Sequence, residues 1–302
     1  MGKFFKVLIV MPCFIIVVSA LATVSFPKEC LAIGSDKEAI KPKEERVAIK
    51  VLMVATNYGG WGEEQQAPWD ILKKAGFEVT LATPRGKKPL PFQISVDPDF
   101  VDPIQKYNVN PPEVCKRTKD LVDGREWENT IKIDDAKIAD YDAIVITGGP
   151  GVTLDVTNRK HVHDMLLEAS HEGKICAALC YGVGALVFTR DPGNNYRSII
   201  YGKKITAHPR AWDFHDEMGY NSLYGITADN QPANVVTPGF IYPLQDLAMD
   251  AVGPKGKVVF AEDASRSNPS VVYDHPFITG CSVESSIAFA NKIVEVLKNK
   301  KR

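Results

Sequence analysis

The sequence predicts an α/β fold: one doubly wound, flavodoxin-like and mostly parallel sheet flanked by helices. Two observations predict it. Short apolar segments rich in β-branched residues, such as residues 47–56, are typical of strands buried on both faces. Helical patterns of about 10 to 15 residues separate them, which is the spacing of parallel βαβ units. We place this domain over residues 47–300.

The elements follow one another in βαβ order. Strands are predicted over residues 47–56, 77–82, 142–147, 174–179, 203–206 and 257–261. Helices are predicted over 63–75, over 161–172 and from Tyr181 onward. Ser282 is the expected N-cap of a last helix, and its expected apolar face comprises Ile287, Phe289, Ile293, Val294 and Leu297.

Two long stretches interrupt this alternation. Residues 84–134 are rich in proline, and residues 221–246 are rich in proline, glycine and asparagine. Loops of this length in a compact domain usually serve a function or contain small elements of their own. We expect both insertions to cover the edge of the sheet where α/β sites form.

The balance of charge narrows the classes of partner. The chain of 302 residues has 36 Lys and Arg against 37 Asp and Glu, a net charge of -1. This near-neutral composition argues against a strongly basic nucleic-acid-binding protein. We therefore expect no nucleic acid among the partners of this protein.

The N-terminal 34 residues read as a segment for export. Lys3 and Lys6 precede an apolar run over residues 7–24, and small residues lie near its end at Ala20 and Ala22. We favour a cleaved signal peptide and a periplasmic or secreted protein. The alternative is an uncleaved membrane anchor over residues 7–24, which are long enough to cross a bilayer. The charged residues 35–46 then form a linker.

The cysteines do not form a recognisable framework. Cys13 and Cys30 lie in the N-terminal segment, which leaves Cys115, Cys176, Cys180 and Cys281. These four lack CxxC spacing and histidine neighbours, so they predict neither a set of disulfides nor a zinc site. Cys176 lies inside a predicted strand and is expected in the core, whereas Cys115 and Cys281 remain unassigned.

Cys180 is the candidate nucleophile. It stands where the strand over residues 174–179 ends and a helix begins, and Gly182 follows two positions later. This is the cysteine counterpart of the nucleophile elbow. The N–H groups at the helix start would favour the thiolate and lower the pKa of the thiol. The alternative is a small buried cysteine that closes the strand.

Three further features precede or follow predicted strands. The turn containing Gly148 and Gly149 exposes backbone N–H groups, and the Gly149 and Tyr181 N–H groups together would form an oxyanion hole. His208 follows the strand over residues 203–206 and would exchange protons with a thiol. Glu64 opens the first helix. Taken alone, the glycine turn also fits an ordinary tight turn, His208 also fits a structural histidine, and Glu64 also fits a carboxylate at a helix start.

Taken in order, these motifs resemble the ThiJ/PfpI superfamily, of the class I glutamine amidotransferase-like fold. The resemblance runs from about residue 47 to residue 297. It rests on Glu64 with Pro68, on Gly148–Gly149, on residues 178–182 (ALCYG) and on residues 204–209 (KITAHP). Residues 271–274 and 278–280, followed by Ser285 and Ser286, look like the family's last strand pair and helix.

The resemblance implies roles for individual residues. Cys180 would be the nucleophile, Glu64 a protonated acid bonded to the sulfur, and His208 the base or proton shuttle. Asp70 would be an auxiliary acid that approaches the site of a partner subunit in a homodimer. No metal and no cofactor are implied.

The chain also departs from the family's branches. Tyr181 stands where the chaperone-glyoxalase branch has histidine, and His208–Pro209 looks like the deglycase branch. The long insertions and residues 241–246 look like the larger branch. The branch, and with it the substrate, is therefore open.

The resemblance leaves several functions open. The first is a cofactor-independent conversion of a small-molecule substrate, an α-oxoaldehyde, of the glutathione-independent glyoxalase or deglycase type. Amide hydrolysis, thioester hydrolysis and isocyanide hydration belong to the same cysteine chemistry. The other classes are a stress-response holdase chaperone and a redox sensor in which Cys180 is reversibly oxidised.

Overall fold

The computed structural model describes residues 48–213, 219–225, 234–237 and 242–300. The predicted signal or anchor over residues 1–34 and the predicted linker over residues 35–46 lie outside these ranges. Within them, no helix combines the length and the apolar composition that a membrane crossing requires.

Strands and helices alternate along the described chain. The strands are β1 (Lys50–Val54), β2 (Glu78–Thr83), β3 (Ile131–Lys132), β4 (Ala143–Ile146), β5 (Ile175–Leu179), β6 (Arg190–Asp191), β7 (Arg197–Ser198), β8 (Lys204–Thr206), β9 (Gly219–Ser222), β10 (Asn234–Thr237), β11 (Lys257–Val259), β12 (Val271–Asp274) and β13 (Phe277–Gly280). The helices are α1 (Gly62–Lys74), α2 (Pro112–Asp123), α3 (Val152–Asp155), α4 (Lys160–His171), α5 (Val183–Phe188), α6 (Arg210–Asp213), α7 (Leu244–Val252) and α8 (Ser286–Lys300).

The main sheet confirms the predicted fold class. Within the described ranges it has seven strands in the order β12-β13-β5-β4-β1-β2-β3. All neighbouring strands are parallel except the outer pair β12 and β13. The strand order reverses at β1, which lies between β2 and β4. Ligand sites of open α/β sheets form at such a switch point, outside the carboxyl ends of the strands.

Burial explains why the central strands read as continuous apolar runs. Every residue of β4 and β5 is buried, because helices cover both faces of the sheet. At roughly 25 cal/mol per Å² of apolar surface removed from water, this core supplies the dominant favourable term in folding.

The insertion over residues 84–134 contains elements that the sequence reading left unassigned. It includes α2, which packs on α1, and β3, which extends the main sheet. The insertion over residues 221–246 is described only in part. Its β10 pairs antiparallel with β9.

Three local expectations need correction. Ser282 does not cap through its side chain, because its hydroxyl donates to Glu284, and α8 begins at Ser286 after a single 3-10 turn. Ile287 is half exposed and therefore not part of the buried face of α8. The helix after Cys180 also begins with a 3-10 turn, Cys180–Gly182, and α5 starts at Val183.

Candidate functional site

The carboxyl ends of the central strands bring the sequence motifs together. Cys180 follows β5, Gly148 and Gly149 follow β4, and Glu64 lies in the first turn of α1 after β1. The strand pairing places Val54, Ile146 and Ala178 side by side. The three motifs therefore meet at the switch point of the sheet.

Cys180 has a strained backbone. Its φ is 53°, in the left-handed region that non-glycine residues rarely adopt. Such a conformation costs about 1–3 kcal/mol and persists only where the surroundings impose it. Gly182 is part of those surroundings, since a Cβ there would lie 2.5 Å from the Thr147 carbonyl oxygen.

The Cys180 sulfur lies among backbone donors and a carboxyl group. The N–H groups of Gly149 and Tyr181 donate to it, and the Glu64 side chain is hydrogen-bonded to it. Burial and the Glu64 carboxylate raise the pKa of the Cys180 thiol, while the two N–H groups lower it. The expectation of a lowered thiol pKa is therefore wrong. Desolvation raises the pKa of the thiol by more than the two N–H groups lower it, and only a single 3-10 turn begins at Cys180.

Glu64 is a buried acid beside this thiol. Its pKa is raised to about 8, mainly by burial and to a smaller extent by the charges of Glu284 and Glu63. The hydrogen bond with Cys180 and the charge of His208 oppose the rise. Glu64 therefore holds its proton up to about pH 8, and it can exchange this proton near neutrality.

Gly148 leaves room for this contact. A Cβ at position 148 would collide with Glu64 Oε2 and lie 2.7 Å from Cys180 Cβ. Glycine at this position is thus required by close packing. Gly149 is required also by its φ of 96°, and a Cβ there would collide with the backbone at Gly60 and Trp61.

We expect Gly148→Ala to separate Glu64 from Cys180 and to reduce turnover by about 10²-fold, since a displacement of about 1 Å at a reacting group has an effect of this order. Steady-state kinetics on the folded variant measure it. Gly76→Ala is a control for strain alone, because Gly76 has a φ of 86° and no atom within 4 Å of its added Cβ. Equal activity in Gly148→Ala and the wild type would contradict the role of close packing.

His208 joins the site through electrostatics and ring contacts. Its ring stacks on Tyr181, with centroids 4.8 Å apart, and Nδ1 lies 2.9 Å from Asp213 Oδ1. Burial lowers the pKa of His208, but Asp213, Glu64 and Glu284 outweigh it and the net pKa is raised. Among the described residues, no hydrogen bond joins His208 to the Cys180 sulfur.

Asp70 lies away from this cluster within the chain. Its carboxylate pairs with the Arg117 guanidinium at 2.7 Å and accepts from Gln66 Nε2. It thus ties α1 to α2. Its expected approach to a partner subunit's site stays a prediction.

Sequence reasoning missed a buried polar network that surrounds Glu64. Glu63 is paired with Arg266 through two hydrogen bonds of 2.6 and 2.5 Å, and Arg266 also donates to the Val109 carbonyl. Glu284 accepts from the hydroxyls of Tyr107 and Ser282. This network joins α1, the insertion over 84–134, the loop before β12 and the turn before α8. No local sequence pattern predicts this network, because its members are far apart in the chain.

Breaking the Glu63–Arg266 pair should destabilise the fold. Glu63 is only 1% exposed, so Arg266→Met would leave a buried carboxylate without its partner. We expect a loss of roughly 2–4 kcal/mol in the free energy of unfolding. This is less than the cost of breaking a fully buried ion pair, because Arg266 is partly exposed. Urea unfolding measures the loss. Adding Glu63→Gln should recover part of the loss, and a double variant as unstable as the single one would contradict this account.

The other described cysteines are also buried. Cys115, Cys176 and Cys281 are free thiols, as Cys180 is. Burial raises the pKa of Cys176 to about 12, which fits its expected place in the core. Within the described part of the chain, no group of three or more His, Cys, Asp or Glu side chains is placed to hold a metal ion.

Comparisons with known proteins agree with the fold and the motifs. The family model described as ThiJ/PfpI family-like matches residues 55–216. A glutathione-independent glyoxalase of Schizosaccharomyces pombe is 25% identical over 176 residues, which cover 52% of this chain and 66% of the relative. The match therefore spans slightly less than two thirds of that relative's length.

Two solved structures share the fold. The Rapid Encystment Protein 24 KDa of Francisella tularensis is 21% identical with a TM-score of 0.62, over 82% of this chain and 99% of that chain. Glyoxalase III of Candida albicans is 21% identical with a TM-score of 0.60, over 82% of this chain and 96% of that chain. The sheet order, the motif order and the matching family model lead to one conclusion: this chain belongs to the ThiJ/PfpI-like family.

Proposed function

We propose that this protein is a cofactor-independent cysteine enzyme that converts small α-oxoaldehydes into hydroxy acids without glutathione. One observation carries the proposal. A buried thiol, Cys180, lies between two backbone N–H donors and the Glu64 carboxyl, whose pKa of about 8 suits proton exchange near neutrality. The strained turn at Cys180 corresponds in this proposal to a nucleophile elbow.

The first step would be attack on the aldehyde. As the sulfur–carbon bond forms, the protonated Glu64 carboxyl takes the thiol proton of Cys180 on one oxygen and gives its own proton from the other oxygen to the carbonyl oxygen, so the raised thiol pKa does not prevent attack. The carbonyl oxygen develops alkoxide character as it takes this proton, and the product is a hemithioacetal. The N–H groups of Gly149 and Tyr181 are positioned near the sulfur and would stabilise the alkoxide.

The second step would be an internal proton transfer. His208 takes the proton from the carbon that bears sulfur, which gives an enediol, and a proton is returned to the neighbouring carbon. The product is a hydroxyacyl thioester on Cys180. Water then cleaves the carbon–sulfur bond, releases the hydroxy acid and restores the thiol. For methylglyoxal, the sum is one methylglyoxal and one water to one lactic acid.

The relatives support this class of reaction over the alternatives. The relative from Schizosaccharomyces pombe is a glutathione-independent glyoxalase. Amide or thioester hydrolysis and isocyanide hydration use the same thiol and oxyanion donors, so they remain alternatives within one chemistry.

A turnover screen tests the proposal. Purified protein is incubated without glutathione with methylglyoxal, glyoxal, a thioester and an isocyanide, and products are followed by proton NMR. Lactate from methylglyoxal supports the proposal. Conversion of only the thioester or the isocyanide would replace it with the matching hydrolase or hydratase. Suppressed aggregation of a client protein without any turnover would favour a holdase, and selective peroxide oxidation of Cys180 without turnover would favour a sensor.

Export and self-association are proposed on the sequence alone. The basic and apolar pattern of residues 1–24 supports export, by a signal peptide or as an anchor. N-terminal sequencing of the protein from fractionated cells distinguishes the two, and full-length protein in the cytoplasm would contradict export. A homodimer is expected from the family resemblance and is tested by sedimentation.

A further inference from the structure

We propose that Asp213 is a positioning residue that fixes His208 as the acid–base group of the Cys180 site. The inference rests on the proposed reaction and adds a residue to it. It is carried by a buried arrangement of three side chains, Tyr181, His208 and Asp213, which come from two different parts of the chain.

Several groups contact the two carboxylate oxygens of Asp213. This residue lies at the end of α6 and is 4% exposed. Its Oδ1 accepts from the Tyr181 hydroxyl and lies 2.9 Å from His208 Nδ1, and its Oδ2 accepts from the Leu244 N–H at 3.3 Å. A buried carboxylate is costly unless donors surround it. The two hydrogen bonds hold the carboxylate in one orientation.

The same contacts determine which nitrogen of His208 is available. With Nδ1 turned toward Asp213, proton exchange is left to Nε2. The ring cannot turn freely, because it stacks on Tyr181 with an interplanar angle of 19° and meets Trp212 edge-on with centroids 5.8 Å apart. Asp213 therefore orients the ring in addition to acting on its charge.

Tyr181 connects this arrangement directly to the nucleophile. Its N–H donates to the Cys180 sulfur, and its hydroxyl donates to Asp213. Asp213 thus holds both His208 and the residue that follows Cys180. A change at Asp213 is expected to act on His208 and on the oxyanion donor together.

Three carboxyl groups face His208 from different elements. Asp213 follows it on α6, Glu64 lies on α1, and Glu284 lies in the turn before α8. Burial lowers the pKa of His208, and the three carboxyls together raise it above its ordinary value. Removal of the Asp213 charge should therefore move the titration of His208 to lower pH, while Glu64 and Glu284 keep part of the rise.

Asp213→Asn tests the proposal in the full chain. We expect kcat for methylglyoxal to fall by roughly 10²-fold, with KM changed less than kcat. The acidic limb of the pH profile of kcat/KM should move to lower pH, together with the His208 imidazole signal in a proton NMR titration. A purely structural role would lower the amount of folded protein without moving either titration.

The chain offers a matched control. Asp191 lies 3.1 Å from His171 Nε2, and His171 is largely exposed, so this is a histidine–aspartate pair away from the site. Asp191→Asn should leave kcat and the titration of His208 unchanged. If Asp213→Asn does not fold, Tyr181→Phe replaces it, since that change keeps a stacking ring but removes the hydroxyl donor to Asp213. We expect Tyr181→Phe to lower kcat and to shift the His208 titration.

The outcomes separate the two proposals. A folded Asp213→Asn protein with unchanged His208 titration and unchanged kcat would overturn the role of Asp213. Absence of methylglyoxal turnover in the wild type would overturn the proposed function alone. The NMR titration and the pH dependence of Cys180 alkylation by iodoacetamide would still decide whether Asp213 controls His208 and, through Tyr181, the thiol.

Discussion

Cys180→Ser is expected to lower methylglyoxal turnover by more than about 10³-fold without loss of the fold. Serine has nearly the same shape as cysteine, so it fits the strained turn at φ 53°. Its hydroxyl is a far weaker nucleophile at neutral pH, and the Glu64 carboxyl is placed beside a thiol proton. Lactate formation followed by NMR measures the effect.

Cys281→Ser is the matched control for this experiment. Cys281 is buried, and its sulfur already lies 3.2 Å from the Ser282 hydroxyl and 3.3 Å from the Ser285 hydroxyl, so a serine finds polar neighbours there. We expect its activity to equal that of the wild type. If Cys180→Ser also retained full activity, Cys180 would not be the nucleophile and the proposed mechanism would be wrong.

Glu64→Gln is expected to lower turnover by about 10³-fold, because glutamine cannot accept and return the thiol proton. The same change should stabilise the protein at high pH. Burial of Glu64 raises its pKa from an ordinary value of 4.5 to about 8. Activity and stability are therefore expected to change in opposite directions at this position.

The sign follows from proton binding. Between pH 4.5 and about pH 8, folded Glu64 keeps a proton that the unfolded chain releases. The native state binds more protons than the unfolded state, so its stability falls as the pH rises through this window. Glutamine has no such proton. The gain from Glu64→Gln should therefore grow from pH 5 to pH 8 by roughly 2–4 kcal/mol.

Urea unfolding at several pH values measures this gain, with Cys180→Ser as the parent so that the neighbouring thiol does not titrate. Glu126→Gln is the control of opposite sign. A hydrogen bond from Arg117 lowers the pKa of Glu126, so the contribution of Glu126 is lost only as the pH falls below about 4.5. Its effect should be flat between pH 5 and pH 8. An equally flat effect of Glu64→Gln would show that Glu64 is ionised in the native protein.

Local patterns predicted the features that depend on short stretches of chain. The apolar runs of β1, β4 and β5 follow from burial on both faces of the sheet, and the glycines after β4 follow from a tight turn. The position of Cys180 at the end of β5 was likewise readable. Parallel strands bring their carboxyl ends to one edge, so the meeting of Cys180, Gly149 and Glu64 could be anticipated.

Predictions from local sequence failed where groups brought in by the fold determine the chemistry. The thiol pKa was expected to fall on the strength of a helix start, but complete burial beside Glu64 raises it. Ser282 matched an N-cap pattern, yet its hydroxyl donates to Glu284 two residues on, and Glu284 in turn accepts from the hydroxyl of the distant Tyr107. In both cases the position of a buried carboxyl group overrides a preference that operates over a few residues.

By itself, the amino-acid sequence determined the order of strands and helices, the family resemblance and the cysteine that the site is built around, because hydrophobic periodicity and turn residues act along the chain. Only the tertiary structure decided which charges surround that cysteine. Asp213, Glu284 and Arg266 come from segments without a local signature, and their effect depends on distance and desolvation, which exist only once the chain has folded.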